Sequence, residues 1–466
     1  MAVSKYDYAI VILYFIICLI VGFKKRTNIT NIRDFGVGDR DYTNLVLLTT
    51  IVATDIGASS SIGVIQAVYK YGIMYAVAQL FVVLSWYAAS IIFPKGIYKF
   101  SKCISFPDII DTLYGRHAKY IAASLSILMT ISIIAAQISG IGLIFKYLLG
   151  LNYYFGVAIG VGVILVYSIA GGIKAVTWTD YFQFFVLVVA IPLSYSVVYK
   201  QVGGLLPIFK VKASSFQDDI GLIAEPSFII GILLYKSLPG VNIAFMQRVL
   251  MADSYIQLKS VLKNVALISF LFSIILCAIA LSLRTLLKES NEESVFFLYI
   301  AQFIPTGIKG IVIAGLLAII MSSADSWLNS ASTIIARNFF KDKFVNISSQ
   351  NEVTLARVSM LMICVIAFVI SLYKYKITDL LFVAVNFWNP ILLAPTLAGF
   401  LDIKVSRRIF YYSAVSGVTG VLVSYFAKGK LDGLSLFMGV LCSSTIILIA
   451  WAKNKKNNYK LVKEYE

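Results

Sequence analysis

The chain has 466 residues, of which 59% are hydrophobic and only 14% are charged, with a mean hydropathy of +0.87. That composition excludes a water-soluble globule and defines an all-α polytopic membrane protein, because too few polar residues are present to cover a soluble surface. The net charge of +17 would suggest nucleic acid in a soluble domain, but here the basic residues sit in short connections between apolar runs, where they orient the chain in a bilayer; no nucleic-acid partner is expected.

Taken in order, the first apolar run, Tyr8 to Phe23, lacks a basic leader and a small-residue cleavage site, so a retained helix is expected rather than a signal peptide. The second run, 44–69, is long enough to cross a bilayer, which takes about 20 residues. Its middle reads Val52-Ala-Thr-Asp-Ile-Gly-Ala-Ser-Ser-Ser-Ile-Gly63. A charge such as Asp55 at the centre of a span costs about 2.5–3.5 kcal/mol and marks a function. Gly57 and Ser59 to Ser61 suit an interrupted helix, whose freed carbonyls can bind a cation. A kinked packing helix would explain the small residues but leaves Asp55 without a reason.

Further spans fall near 73–94, 120–145, 155–173, 181–199, 228–249, 262–283, 308–336, 355–372, 380–401, 409–426 and 435–451, about thirteen helices in all. The sixth is preceded by Gly171-Gly-Ile-Lys-Ala-Val-Thr-Trp-Thr-Asp-Tyr-Phe-Gln183, where Thr179 or Asp180 reads as an ordinary N-cap. The seventh is interrupted by Pro239-Gly240, which must break or kink it. Lys236, about two turns into that span, pairs with Asp55, holds a substrate carboxylate, or snorkels to the surface. The ninth reads Leu317-Ala-Ile-Ile-Met-Ser-Ser-Ala-Asp-Ser-Trp-Leu-Asn329. Ser322, Asp325 and Ser326 share a face there, a set of hard oxygen ligands suited to a small cation. The plain alternative is that the serines bond back to their own helix.

An odd number of helices puts the termini on opposite sides. About two-thirds of the 40 Lys and Arg then fall on one face, which the positive-inside rule makes cytoplasmic. The N-terminus is therefore expected outside and the C-terminus inside a cell membrane, with the Lys453-to-Glu466 tail as a solvated end. Spans 2 and 7, the two interrupted ones, are five helices apart and cross in opposite directions, so two inverted five-helix repeats follow. The expected division is 1–43, an N-terminal helix and cytoplasmic loop; 44–199, the first repeat; 200–402, the second repeat; and 403–466, two added helices and the tail. The connections 199–227 and 284–307 are expected outside, with amphipathic pieces and no enzyme motif. Cys18, Cys103, Cys277, Cys364 and Cys442 are scattered singly and read as packing residues, and His117 is the sole histidine. Histidine catalysis and a His-based metal site are excluded, and no nucleophile, base and orienting group recur together, so an enzyme is not expected.

The 171–183 run, Met321-Ser-Ser-Ala-Asp-Ser326 and Met246-Gln-Arg-Val-Leu-Met-Ala-Asp253 together resemble elements of the sodium:solute symporter family, from about residue 44 to 402. The resemblance implies the leucine-transporter fold, sodium-driven uptake and no organic cofactor; the expected solute is small, polar and organic (an amino acid such as proline, a sugar or sialic acid), and the expected oligomeric state in the bilayer is a monomer. It assigns a main sodium site to backbone oxygens of Ala53, Ile56 and Ile319 and the hydroxyls of Ser322 and Ser323. A second sodium, present in some members, would use Asp180, Ser322 and Ser326, with Asp325 where a further hydroxyl is common. Substrate contacts by the same resemblance fall to Ser60, Gln79 and Asn242, with Asp55 and Lys236 as charged candidates and Phe387 at the outer gate. The rival readings are a proton-coupled carrier using Asp55 and Asp325, and a non-accumulating sensor or channel-like member of the same fold.

Overall fold

In the computed structural model, residues 3–24, 29–204, 231–233, 236–287, 294–341, 348–373 and 377–464 are described. Among them the chain is all-helical. The helices are α1 (Lys5–Lys24), α2 (Ile32–Gly36), α3 (Asn44–Asp55), α4 (Ile62–Leu80), α5 (Val82–Ile92), α6 (Phe106–Tyr114), α7 (Arg116–Tyr147) and α8 (Tyr153–Val202) in the first half. The second half holds α9 (Ile243–Met251), α10 (Tyr255–Leu286), α11 (Val295–Phe303), α12 (Ile308–Ile334), α13 (Ser349–Leu372), α14 (Ile377–Phe400), α15 (Arg407–Lys428) and α16 (Gly433–Glu464).

Many helix starts are written in the sequence as short polar caps. Thr43, Asn152, Asn242 and Ser348 each accept a backbone N–H of the first turn, and Ser254 does so with Gln257 three residues on, the pattern of a capping box. Ten helices are long and apolar enough to cross a membrane, and Asn44–Asp55 and Tyr153–Ile169 are shorter apolar helices. The expected tally of thirteen whole spans is therefore not reached among the described residues. Most of the 199–227 connection, part of 284–307 and part of span 7 lie outside them. The polar tail continues α16 to Glu464 instead of leaving it.

α12 is the axis of the bundle: all but a few of its side chains are buried, including every residue from Val312 to Ile334. Packed on it are α8, α7, α1, α3 and α13. α8 is a 50-residue helix broken only at Gly172, whose φ of 55° and ψ of −153° lie where a side chain is strained. A similar glycine turn at Gly72 (φ 69°) separates the two expected spans that meet within α4. At the other edge, α15 and α16 dock on each other and on α14 by backbone approach. A Cβ on Gly417 would lie 2.3 Å from Pro390 O, and one on Gly420 2.8 Å from Met438 O. Small residues at such contacts let membrane helices gain dispersion where no hydrophobic force drives them together.

Candidate functional site

Both expected interruptions are present. α3 ends at Asp55, the chain turns through 56–61, and α4 begins at Ile62. Ser60 Oγ donates to Asp55 O (2.7 Å) and accepts from the Gly57 amide (2.8 Å), and Ser61 Oγ donates to Gly57 O (2.7 Å). These hydroxyls close the turn, so Ser60 shapes the break and its hydroxyl is already committed. Gly57 is required by close approach: a Cβ there would sit 2.5 Å from Gln137 Nε2 and 2.7 Å from Ser323 Oγ. Gln137, on α7, fastens the turn by accepting from the Ala58 amide at 2.9 Å. In the second interruption, 238–242 leave the helix, and Asn242 caps α9 by accepting from the Phe245 amide at 2.8 Å.

The serine face of α12 meets the end of α3. Ser322 Oγ donates to Ala53 O (2.8 Å) and lies 3.1 Å from Ile319 O; Ser323 Oγ donates to Thr54 O (2.8 Å); Thr54 Oγ1 and Ser326 Oγ share a hydrogen bond of 2.9 Å. Four of the five expected sodium ligands, Ala53, Ile319, Ser322 and Ser323, thus converge, and Ile56 is buried at the cap of α3. The oxygens are neutral, hard and held by two rigid helices, a donor set that fits a small alkali cation. Each hydroxyl that donates to a carbonyl also carries lone pairs free to turn toward a cation.

Asp180 is not an N-cap. The helix runs on from Gly171, so Asp180 lies well inside α8 and fully buried, while Thr179 Oγ1 donates to the carbonyls of Ala175 and Val176. The partner of Asp180 is Arg248, also fully buried: Nη2 is 3.3 Å from Asp180 Oδ2 and also donates to Ser326 Oγ. Thr50 Oγ1 donates to the same carboxylate oxygen and accepts from the guanidinium at 3.3 Å. Asp325 turns the other way and accepts from Tyr167 OH at 2.7 Å. Asp180 Oδ1 and Asp325 Oδ1 accept no hydrogen bond among the described residues.

Of the substrate candidates, Asp55 is the last residue of α3 and is half-buried at the break. Lys236 is half-buried. Gln79 is buried, with Nε2 3.4 Å from Ser273 Oγ and Oε1 unpartnered among the described residues. Phe387 is 42% exposed and is not brought to the breaks; its neighbour Trp388 is, donating from Nε1 to Val241 O at 2.8 Å. Thr50, Gln137 and Trp388 are not singled out in the sequence, and Arg248 stands out only within the 246–253 run at the end of the seventh span, without a role of its own.

Two broken helices face one serine-rich helix inside a bundle of spanning helices, an arrangement known from membrane transporters. The model of the sodium:solute symporter family matches residues 35–408, and the chain belongs to that family. The osmoregulated proline transporter OpuE of Bacillus subtilis (strain 168) is 24% identical over 377 residues, covering 77% of this chain and 76% of the relative. The sodium/glucose cotransporter of Vibrio parahaemolyticus is 26% identical over 378 residues, covering 68% and 66%. A solved Na+-coupled sialic acid symporter in a substrate-bound outward-open state superposes with a TM-score of 0.83 over 96% of each chain at 17% identity. The fold is that of the leucine-transporter group.

Proposed function

We propose that the chain is a sodium-coupled symporter that imports a small polar organic solute by alternating access. The observation that carries this reading is the contact of Ser322 and Ser323 with the Ala53 and Thr54 carbonyls at the end of α3. Sodium at Ala53, Ile56, Ile319, Ser322 and Ser323 bridges α3 to α12 and stabilises one arrangement of the two. The solute binds beside it near the midplane, between Asp55, Gln79 and Lys236. Relatives named for proline and glucose, and a structural neighbour named for sialic acid, support the small polar class without selecting a member.

The repeats are taken as 44–199 and 200–402, flanked by 1–43 and 403–466, in a cell membrane with the N-terminus outside, and the protomer acts alone. One sodium suffices. The position between Asp180 and Ser326 already holds the Arg248 guanidinium, so a second cation there would meet a fixed like charge. One charge entering down 100 mV contributes about 2.3 kcal/mol, roughly 45-fold accumulation before the concentration gradient is added.

The test is the melting temperature of the detergent-purified chain in matched NaCl, KCl and choline chloride, for wild type and Ser322→Ala. A sodium-specific rise that Ser322→Ala abolishes is expected, because a ligand that binds only the folded state stabilises it by mass action. Equal melting of the wild type in all three salts would refute sodium binding and favour coupling to protons.

A further inference from the structure

α2 is a five-residue helix, too short to be stable alone, yet Phe35 is fully buried and Ile32 nearly so. Its start is capped locally, by Asn31 Oδ1 accepting from the Asp34 amide at 3.0 Å. Its end is held from elsewhere. The last carbonyls of a helix have no partner within it, and here two of them are taken by side chains of α12, which carries the ion-site serines, and of α9. Asn329 Nδ2 on α12 donates to Phe35 O (3.2 Å), and Gln247 Nε2 on α9 donates to Gly36 O (2.5 Å). The seat is tight, since a Cβ on Gly36 would meet Thr333 Cγ2 at 2.7 Å.

Every hydrogen-bonding position of the Gln247 amide is in use. Nε2 also donates to Asn329 Oδ1 (2.9 Å), and Oε1 accepts from Ser330 Oγ (2.6 Å) and from Arg248 Nη1 (3.0 Å). Arg248 in turn holds Ser326, Ser326 bonds Thr54 Oγ1, and the Thr54 carbonyl takes Ser323. An unbroken set of hydrogen bonds therefore runs from the ion-site serines to the Gly36 carbonyl, through side chains fully or nearly fully buried.

We propose that α2 is a bolt closing one end of the bundle, and that Gln247 is the positioning residue that ties the bolt to the state of the ion site through Arg248 and Ser326. The coupling rests on the sodium reading above; the bolt does not. When α3 and α12 part, Ser326 shifts against Arg248, the Gln247 amide loses its register, and Phe35 and Gly36 are released. The two arrangements differ by whole hydrogen bonds in a dry interior, which makes the element two-state rather than gradual.

The experiment is hydrogen exchange read by mass spectrometry on the full chain in NaCl and in choline chloride. It follows the amides of Phe35, Val37 and Gly38, which bond back to Asn31 and Arg33 inside the bolt. Gln247→Glu keeps an acceptor for Arg248 and Ser330 but has no donor for Gly36 O; Asn329→Ala removes the donor to Phe35 O and serves if the first variant does not fold. Wild-type exchange at these amides is expected to be at least 5-fold slower in NaCl than in choline chloride. In Gln247→Glu it is expected to be at least 10-fold faster than wild type and no longer sodium-sensitive, with the sodium-specific melting rise retained. Exchange in both variants equal to wild type, read in choline chloride alone, would overturn the bolt. Wild-type exchange equal in the two salts, in a protein that melts higher in sodium, would overturn the coupling. Absence of the sodium-specific melting rise in wild type would instead remove the ion reading, and the coupling with it.

Discussion

Arg248→Ala is the most exacting test of the buried network. The side chain is fully buried and donates to Asp180, Ser326 and Thr50, to Gln247 Oε1 at 3.0 Å and toward Ala244 O at 3.4 Å. Without it, Asp180 Oδ2 keeps only the hydroxyls of Thr50 and, at 3.5 Å, Ser326, and Oδ1 has no hydrogen bond among the described residues. A buried carboxylate stripped of its counter-charge costs about 3–5 kcal/mol, whereas replacing both partners by apolar residues of similar size is near neutral or stabilising. Arg248→Ala should therefore lower the unfolding free energy by about that 3–5 kcal/mol, and Arg248→Met with Asp180→Leu should recover most of it while failing to transport. Unfolding would be followed in mixed micelles by denaturant titration, and transport in proteoliposomes. A single variant within about 1 kcal/mol of wild type, in the range of a surface ion pair, would refute the view of Arg248 as a desolvated partner.

Gly57→Ala forces a methyl onto Gln137 and Ser323 and should cost about 1–3 kcal/mol while weakening sodium binding, read as a higher sodium midpoint in the melting assay. Trp388→Phe keeps an aromatic side chain but removes the pyrrole part of the indole and its N–H, leaving the Val241 carbonyl without its donor and a gap in a fully buried site; at least about 1–3 kcal/mol of stability should go, detected by the same titration. Cys103 lies in the connection before α6, where burial pushes its thiol up to about 11. It should resist alkylation at pH 8, where almost no thiolate exists, and react progressively as pH rises toward that value.

The parts of the site that could be read from the chain are those where a residue conflicts with its own segment. Asp55 and Gly57 conflict with a spanning helix, Pro239-Gly240 with helix continuity, and Ser322, Ser323 and Ser326 with an apolar core, so the breaks and the serine face were visible in one dimension. Asp180 was misread as a cap because Thr-Asp after a glycine pair is the ordinary sign of a helix start; the break falls at Gly172 instead, and the helix has already resumed when it reaches Asp180. Arg248 and Gln137 were hidden for a different reason. Their partners lie far away in sequence, and a lone Arg or Gln near the end of an apolar run looks no different when it faces water. The count of spans was the least legible feature, since composition cannot say where one long helix bends into two.

The glycine seams that hold α15 and α16 to α14 bear on how the protein is made. Because that last hairpin attaches by fitted backbone surfaces, its seating requires that α14, with Pro390 and Pro395, already stand in final shape in the lipid. Maturation would then finish at the carboxyl end. A bulky residue at Gly417 or Gly439 should therefore leave the earlier helices assembled while α15 and α16 fail to seat on α14.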